Sequence, residues 1–278
     1  MPGAEPRSRL PNQLEEIRLS GYELRLGRLF NGANGRSFIT ALDHAITLGV
    51  PEGGADAIGT LQKVIAGGPD AVLVGPGLLN KAGHLFADKN APAPIVRADF
   101  IINHPFLDDL GETYRQIASA EYAVRIGAEA VVMFLMVGTN KGDLFKENVA
   151  ALTSMVESAH NVGLPVIVES VLWGTKVQNQ KDPEMLAFGA RMAFELGADA
   201  IKTEYTGDAE TMKDIINSVP APVLLLGGSR SANPEALWQG TRNAIDVGAK
   251  GVIYGRNVWQ SDDPVAVSRR LREIIHGS

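Results

Sequence analysis

Eight times along the chain, a short, continuous apolar run rich in branched side chains ends in glycine or a polar residue. Each time it gives way to a longer segment of helical periodicity. The runs occupy residues 37–44, 70–75, 94–100, 128–137, 165–170, 198–205, 222–228 and 251–257. Their starts lie about 24 to 37 residues apart, the length of one strand, one helix and two short loops. A strand that is apolar at successive positions is buried on both faces, which predicts a parallel sheet. The intervening segments carry helix punctuation. Asp182-Pro183-Glu184 and Asn233-Pro234-Glu235 are capped starts with proline in the first turn, and Gly127, Gly197 and Gly248 are helix-ending glycines before a new strand.

Eight such units specify a (β/α)8 barrel of the TIM type, an α/β fold. Periodicity alone also allows an open doubly wound sheet, but no GxGxxG follows the first run. The expected division is an N-terminal helical extension over 1–36 and a single barrel domain over 37–278. The extension would plug or flank the barrel bottom, with Arg25, Leu26, Arg28, Leu29 and Phe30 on a packed, solvated helix. Without cysteine there is neither a disulfide framework nor a thiolate site. A net charge of −6 argues against nucleic acid as a partner. No run approaches the roughly 20 apolar residues of a membrane span, and residues 1–11 lack a signal-peptide core, so a cytoplasmic protein is expected.

In such a barrel the active site lies at the carboxyl ends of the strands, so polar residues that end the apolar runs are the candidates. Alternation puts Ala200, Lys202 and Glu204 on one face of the sixth run and Ile201 and Thr203 on the other. A lysine is costly in the layer that meets the helices, so Lys202 should point into the barrel mouth. An amine held out of water there loses its proton more readily and can attack a carbonyl. The other reading is a structural lysine paired with Asp43 or Glu169, and position alone leaves both open. Asp43 ends the first run on the face of Ile39 and Ala41, and Glu169 ends the fifth on the face of Ile167, so both should reach the same cavity and move protons.

Gly227-Gly228-Ser229-Arg230 and Gly255-Arg256-Asn257 end the seventh and eighth runs, where barrels commonly bind phosphate on exposed backbone N–H groups. His44 and His104 are candidates for substrate contact, Trp173 and Trp259 for walls of the site, and Trp238 for the core. Met133, Phe134 and Met136 are expected to fill the barrel. The five histidines show no HxH or HExxH spacing, so no metal is assigned. No other cofactor is assigned either.

Taken together these residues resemble the class I aldolases of the archaeal fructose-bisphosphate aldolase type. That family also includes 2-amino-3,7-dideoxyheptulosonate synthase and an autoinducer-degrading thiolase. The resemblance runs from Arg25-Leu26-Gly27-Arg28-Leu29-Phe30 to Gly255-Arg256-Asn257-Val258-Trp259-Gln260. It rests on Leu42-Asp43-His44, Gly197-Ala198-Asp199-Ala200-Ile201-Lys202-Thr203, Tyr205-Thr206-Gly207-Asp208, Gly227-Gly228 and Gly255-Arg256-Asn257. It implies a Schiff-base lysine at Lys202, a substrate-binding acid at Asp43, phosphate contacts from Gly227, Gly228, Gly255 and Arg256, and a higher-order homo-oligomer.

One segment departs from the family pattern. Where the aldolase and synthase members carry a tyrosine acid/base in Tyr-Pro-Arg-Gly, this chain reads Val171-Leu172-Trp173-Gly174. Valine transfers no proton, which leaves Glu169 and Tyr205 as candidates for that work, and the missing arginine at Trp173 favours a monophosphate over a bisphosphate. The main expectation is a metal-independent class I aldolase, a lyase acting on a phosphorylated ketose or dihydroxyacetone phosphate. The thiolase branch also lacks the tyrosine, which keeps acyl transfer to coenzyme A as an alternative. A catalytically idle barrel that binds a phosphorylated ligand is the third reading.

Overall fold

The branched, doubly buried runs form strands because each lays one row of side chains on the helices and the other on the barrel axis. The computed structural model describes residues 13–30, 33–102 and 105–277. The strands are β1 (Ser37–Leu42), β2 (Ala71–Val74), β3 (Ala93–Arg97), β4 (Asp99–Ile101), β5 (Tyr114–Gln116), β6 (Ala130–Val137), β7 (Val166–Leu172), β8 (Ala200–Thr203), β9 (Val223–Leu226) and β10 (Gly251–Tyr254). Eight of them close into a barrel in the order β1-β10-β9-β8-β7-β6-β3-β2, every pairing parallel. This is a TIM barrel, and each of its strands falls within one of the eight apolar runs or a residue or two beyond its ends.

The remaining two strands, β4 and β5, form an antiparallel hairpin between β3 and β6. The run 94–100 therefore holds the barrel strand and the start of a second element. Ala98 N–H donates to Val132 O, and Ala98 O accepts from Ile117 and Ala118 N–H, so the chain leaves the barrel at that residue.

The helices are α1 (Gln13–Leu29), α2 (Ala45–Leu48), α3 (Ala57–Ala66), α4 (Pro76–Ala82), α5 (Ala120–Arg125), α6 (Gly142–Asn161), α7 (Pro183–Glu195), α8 (Ala209–Ser218), α9 (Pro234–Asp246), α10 (Arg256–Trp259) and α11 (Pro264–His276). The expected caps form: the Asp182 carboxylate accepts from Glu184 and Met185 N–H at 3.0 and 3.1 Å, and the Asn233 side chain accepts from Ala236 N–H. Gly127, Gly197 and Gly248 turn through φ of +94°, +97° and +116°, as a helix-ending left-handed residue does.

The barrel interior is a separate apolar cluster from the layer under the helices. It comprises Ile39, Ala41, Ala71, Leu73, Ala93, Ile95, Ala130, Val132, Ile167, Ala200, Leu224 and Ile253, with Leu29 of α1 among them and Leu26 and Phe30 packed against it. Helix α1 thus closes the bottom. Ser37 Oγ donates to Leu29 O, Arg25 Nη1 to Gly163 O, and Tyr22 Oη to Asp199, while Arg28 pairs with Glu129. Arg25 and Arg28 also tether the helix to the bottom loops, while Arg28 stays exposed. Met133 also departs from expectation: it packs in the outer layer, and only Phe134, next along β6, faces the mouth. Trp238 is core, as expected.

Candidate active site

The alternation that fills the lower barrel with Ala and Ile brings different chemistry to the top. Two residues above Ala41, Ile95, Val132, Ile167 and Ala200 on the same face come Asp43, Arg97, Phe134, Glu169 and Lys202. They line a cavity of about 190 Å³ with His44, Trp173, Gly227, Gly228, Gly255 and Arg256. Nine of the twelve expected site residues therefore meet at the mouth, on the loops and ends of β1, β7, β8, β9 and β10.

Lys202 and Glu169 are register partners on β8 and β7, and Lys202 Nζ lies 2.8 Å from Glu169 Oε1. Of the two pairings open to the lysine, the fold makes this one. Glu169's other oxygen accepts from Arg97 Nη2, whose Nε donates to Asp43 Oδ2 at 2.8 Å. The guanidinium lies over the Phe134 ring at 3.9 Å and 3.5 Å from Asp99. Arg97 is the cavity-lining charged residue that sequence reasoning missed. The signal was present: Ala93, Ile95 and Arg97 obey the same alternation that singled out Lys202.

Burial works to raise the Asp43 carboxyl, but the charges of Arg97 and Lys202, joined by His44 when acid protonates it, outweigh burial and hold the group at about 2. Burial likewise opposes ionisation of Glu169, and Lys202 and Arg97 overcome it, leaving the group below the usual carboxylate range. Asp99, behind Arg97, is different. Burial raises it to about 7 despite Arg97 and a hydrogen bond from Phe134 N–H, so it holds a proton near neutrality. Burial lowers His44 below the usual imidazole value, which keeps the ring neutral at pH 7; it stands edge-on to Trp259 at 5.7 Å. Trp259 supports His44 from behind, its indole N–H donating to Ala41 O, and does not line the cavity.

At the β9–β10 side the chain turns through Gly228 at φ +62°. Gly255 cannot be anything larger, since a Cβ there would sit 2.2 Å from His44 Cε1 and 2.7 Å from Ala41 O. Asn257 ties the two loops together. Its amide donates to Gly227 O at 2.6 Å and Ser229 O at 3.1 Å and accepts from Ser231 N–H at 2.8 Å. Arg256 lines the cavity with its Nε buried and without a hydrogen-bond partner.

Three expected residues stand elsewhere. Tyr205 follows Ile201 and Thr203 on the outward face and packs against Gly240 of α9, lining a neighbouring cavity. Ser229 lines that same cavity. Arg230 is half-exposed and lies 3.6 Å from Asp262. None of the three reaches Lys202's cavity: Tyr205 continues the outward face of β8, and Ser229 and Arg230 lie past the glycines that follow β9. Val171 shares a face with Glu169 but does not line the cavity either. His104 lies outside the described residues.

A closed parallel barrel with a buried lysine, two ionised carboxylates and a glycine-lined end at its carboxyl mouth defines a carbonyl-processing TIM-barrel enzyme. The profile of the DeoC/LacD family aldolases matches residues 37–261, and the chain belongs to that family of carbon–carbon lyases. It is 31% identical to an uncharacterised aldolase of Saccharolobus solfataricus, over 92% of this chain and 94% of that one. With 2-amino-3,7-dideoxy-D-threo-hept-6-ulosonate synthase of Halobacterium salinarum it shares 32% identity over 92% of each chain. Among solved structures it is similar to an archaeal fructose 1,6-bisphosphate aldolase at 30% identity and TM-score 0.80, covering 92% of this chain and 100% of that one. The same values relate it to an archaeal fructose-1,6-bisphosphate aldolase whose catalytic lysine is covalently bound to the carbinolamine intermediate. Among the described residues no helix is long and apolar enough to cross a membrane.

Proposed function

We propose that the protein cleaves or forms a carbon–carbon bond in a ketose monophosphate, with dihydroxyacetone phosphate as the ketone half, through an iminium on Lys202. The observation that carries this reading is the contact of Lys202 Nζ with Glu169 at 2.8 Å, inside a cavity whose other end is glycine and Arg256. Glu169 accepts the ammonium proton, and the neutral amine attacks the carbonyl carbon to give a carbinolamine. Glu169 returns the proton to the departing hydroxyl, which leaves as water. Asp43 then takes the proton of the substrate hydroxyl as the carbon–carbon bond breaks. The bonding electrons flow into the iminium, and protonation and hydrolysis of the enamine restore the lysine.

One phosphate suits the cavity. Among the described residues lining it, Arg97 and Lys202 already face carboxylates, whereas Arg256 has a buried nitrogen without a partner. The backbone of Gly227, Gly228 and Gly255 lies beside that arginine. Across the mouth the walls are Ile101, Phe134 and Trp173, which carry no positive charge for a second phosphate. The same reading carries a homo-oligomer working in the cytoplasm, an assembly that would cover apolar surface such as Leu24 on α1 and Phe188 on α7, 72% and 59% exposed.

The test is reductive trapping with borohydride, offering dihydroxyacetone phosphate and fructose 1,6-bisphosphate separately, followed by peptide mapping. The expected result is one adduct on Lys202 with the triose phosphate and none in Lys202→Met. A folded protein that traps neither compound overturns the reading. Product release that requires coenzyme A, with no free aldehyde formed, would replace it by acyl transfer.

A further inference from the structure

Arg97 sits at the centre of the charged layer, hydrogen-bonded to two carboxylates, with its remaining Nη1 3.5 Å from Asp99 and without a hydrogen bond. Its side chain is 3% exposed, its Nε holds Asp43 Oδ2 and its Nη2 holds Glu169 Oε2. Each carboxylate thereby keeps one oxygen turned away from the guanidinium. Glu169 Oε1 faces Lys202, and Asp43 Oδ1 lies 3.7 Å from His44 Nδ1, which has no hydrogen-bond partner. Phe134 holds the guanidinium plane from one face.

We propose that Arg97 is the positioning residue of this site: its fork keeps Asp43 and Glu169 ionised, apart, and each with one oxygen directed to its own proton transfer. Two carboxylates buried in one cavity without a cation between them share a proton, and a shared proton would leave only one base for two tasks. A planar fork can engage both at fixed angles, whereas an ammonium on a flexible stem acts as a point charge and engages one. The groups facing Arg97 are Asp43 after β1, Asp99 on β4 and Glu169 on β7; beyond them Lys202 on β8 pairs with Glu169 and His44 stands beside Asp43, with Arg256 adding a positive charge near His44. Tyr114 of β5 stands behind Asp99. The proposal rests on Lys202 being the Schiff-base lysine.

The experiment compares wild type, Arg97→Lys and Arg97→Met as full chains, in the rate at which cyanoborohydride traps dihydroxyacetone phosphate on Lys202 between pH 5 and 9. Arg97→Lys keeps the buried positive charge and removes the fork. The expected result is a trapping rate about 100-fold lower, a half-saturating triose phosphate concentration near that of wild type, and an acid limb moved toward neutral pH. Trapping at the wild-type rate, or a loss equal at every pH, would overturn the proposal. Should both variants fail to fold, carbon-13 NMR titration of the unaltered protein decides, with signals assigned through Asp43→Asn and Glu169→Gln. Both carboxylates are expected to stay ionised to below pH 5, and either one titrating above pH 6 sinks the idea. Absence of trapping in wild type would instead count against Lys202 as nucleophile, a separate failure.

Discussion

The lower and upper halves of the barrel interior are built on the same strands by the same alternation, and they do opposite things. Below, Ile39 and Ala41, Ala93 and Ile95, Ile167, and Ala200 make a dry apolar cluster closed by Leu29. One step up, the same faces carry Asp43, Arg97, Glu169 and Lys202, all nearly as buried. Burying four charges is tolerable only because each meets an opposite one within hydrogen-bond reach. The lower layer supplies stability and the upper layer gathers the charged groups of the proposed chemistry, so the two should respond differently to substitution.

Glu169→Gln should separate them most. It keeps the shape of the side chain but cannot accept the lysine's proton, so turnover and the trapping rate should fall by about 100-fold or more. A variant trapped as fast as wild type would remove Glu169 from the proton transfers. The mirror experiment is Ile95→Ala, two residues below Arg97 in the apolar layer and fully buried. Denaturant unfolding should show a loss of roughly 2–5 kcal/mol, while turnover per folded molecule stays near wild type. An equal loss of activity would mean that the layers are coupled more tightly than their packing implies.

The smallest effect concerns the pH dependence of stability. Asp99, behind the charged layer, keeps its proton to about pH 7 in the folded protein, whereas an unfolded aspartate releases it near ~3.9. The folded state therefore binds more protons between those values. This contribution to stability is fully present below the lower value, declines as pH rises through the window and levels off above about 7. Asp99→Asn cannot titrate, so its melting temperature relative to wild type should be higher at pH 8 than at pH 5. The same difference at both pH values would show that Asp99 is ionised in the folded state.

Much of this architecture is legible in the sequence. Period-two alternation within short strands is a hard steric rule, so Lys202, Asp43 and Glu169 could be aimed at one cavity from the sequence. Arg97 obeyed the same rule and was overlooked because its run continues as Ala98-Asp99-Phe100, which hides where the barrel strand stops. Tyr205, Ser229 and Arg230 failed for complementary reasons. Alternation itself turns Tyr205 outward with Ile201 and Thr203, while beyond the end of β9 at Leu226 it no longer says where Ser229 and Arg230 point.

The sequence by itself determined the eight strand–helix units, the inward face of each strand and the residue types delivered to the mouth, because those follow from local periodicity and from the cost of burying polar groups. Only the tertiary structure decided that Lys202 pairs with Glu169 rather than Asp43, that a guanidinium from β3 joins two carboxylates from β1 and β7, and that Asn257 binds the β9 loop to α10. Those partners are 30 to 72 residues apart in the chain. Their distances depend on barrel closure and on where each strand ends, which no local pattern encodes.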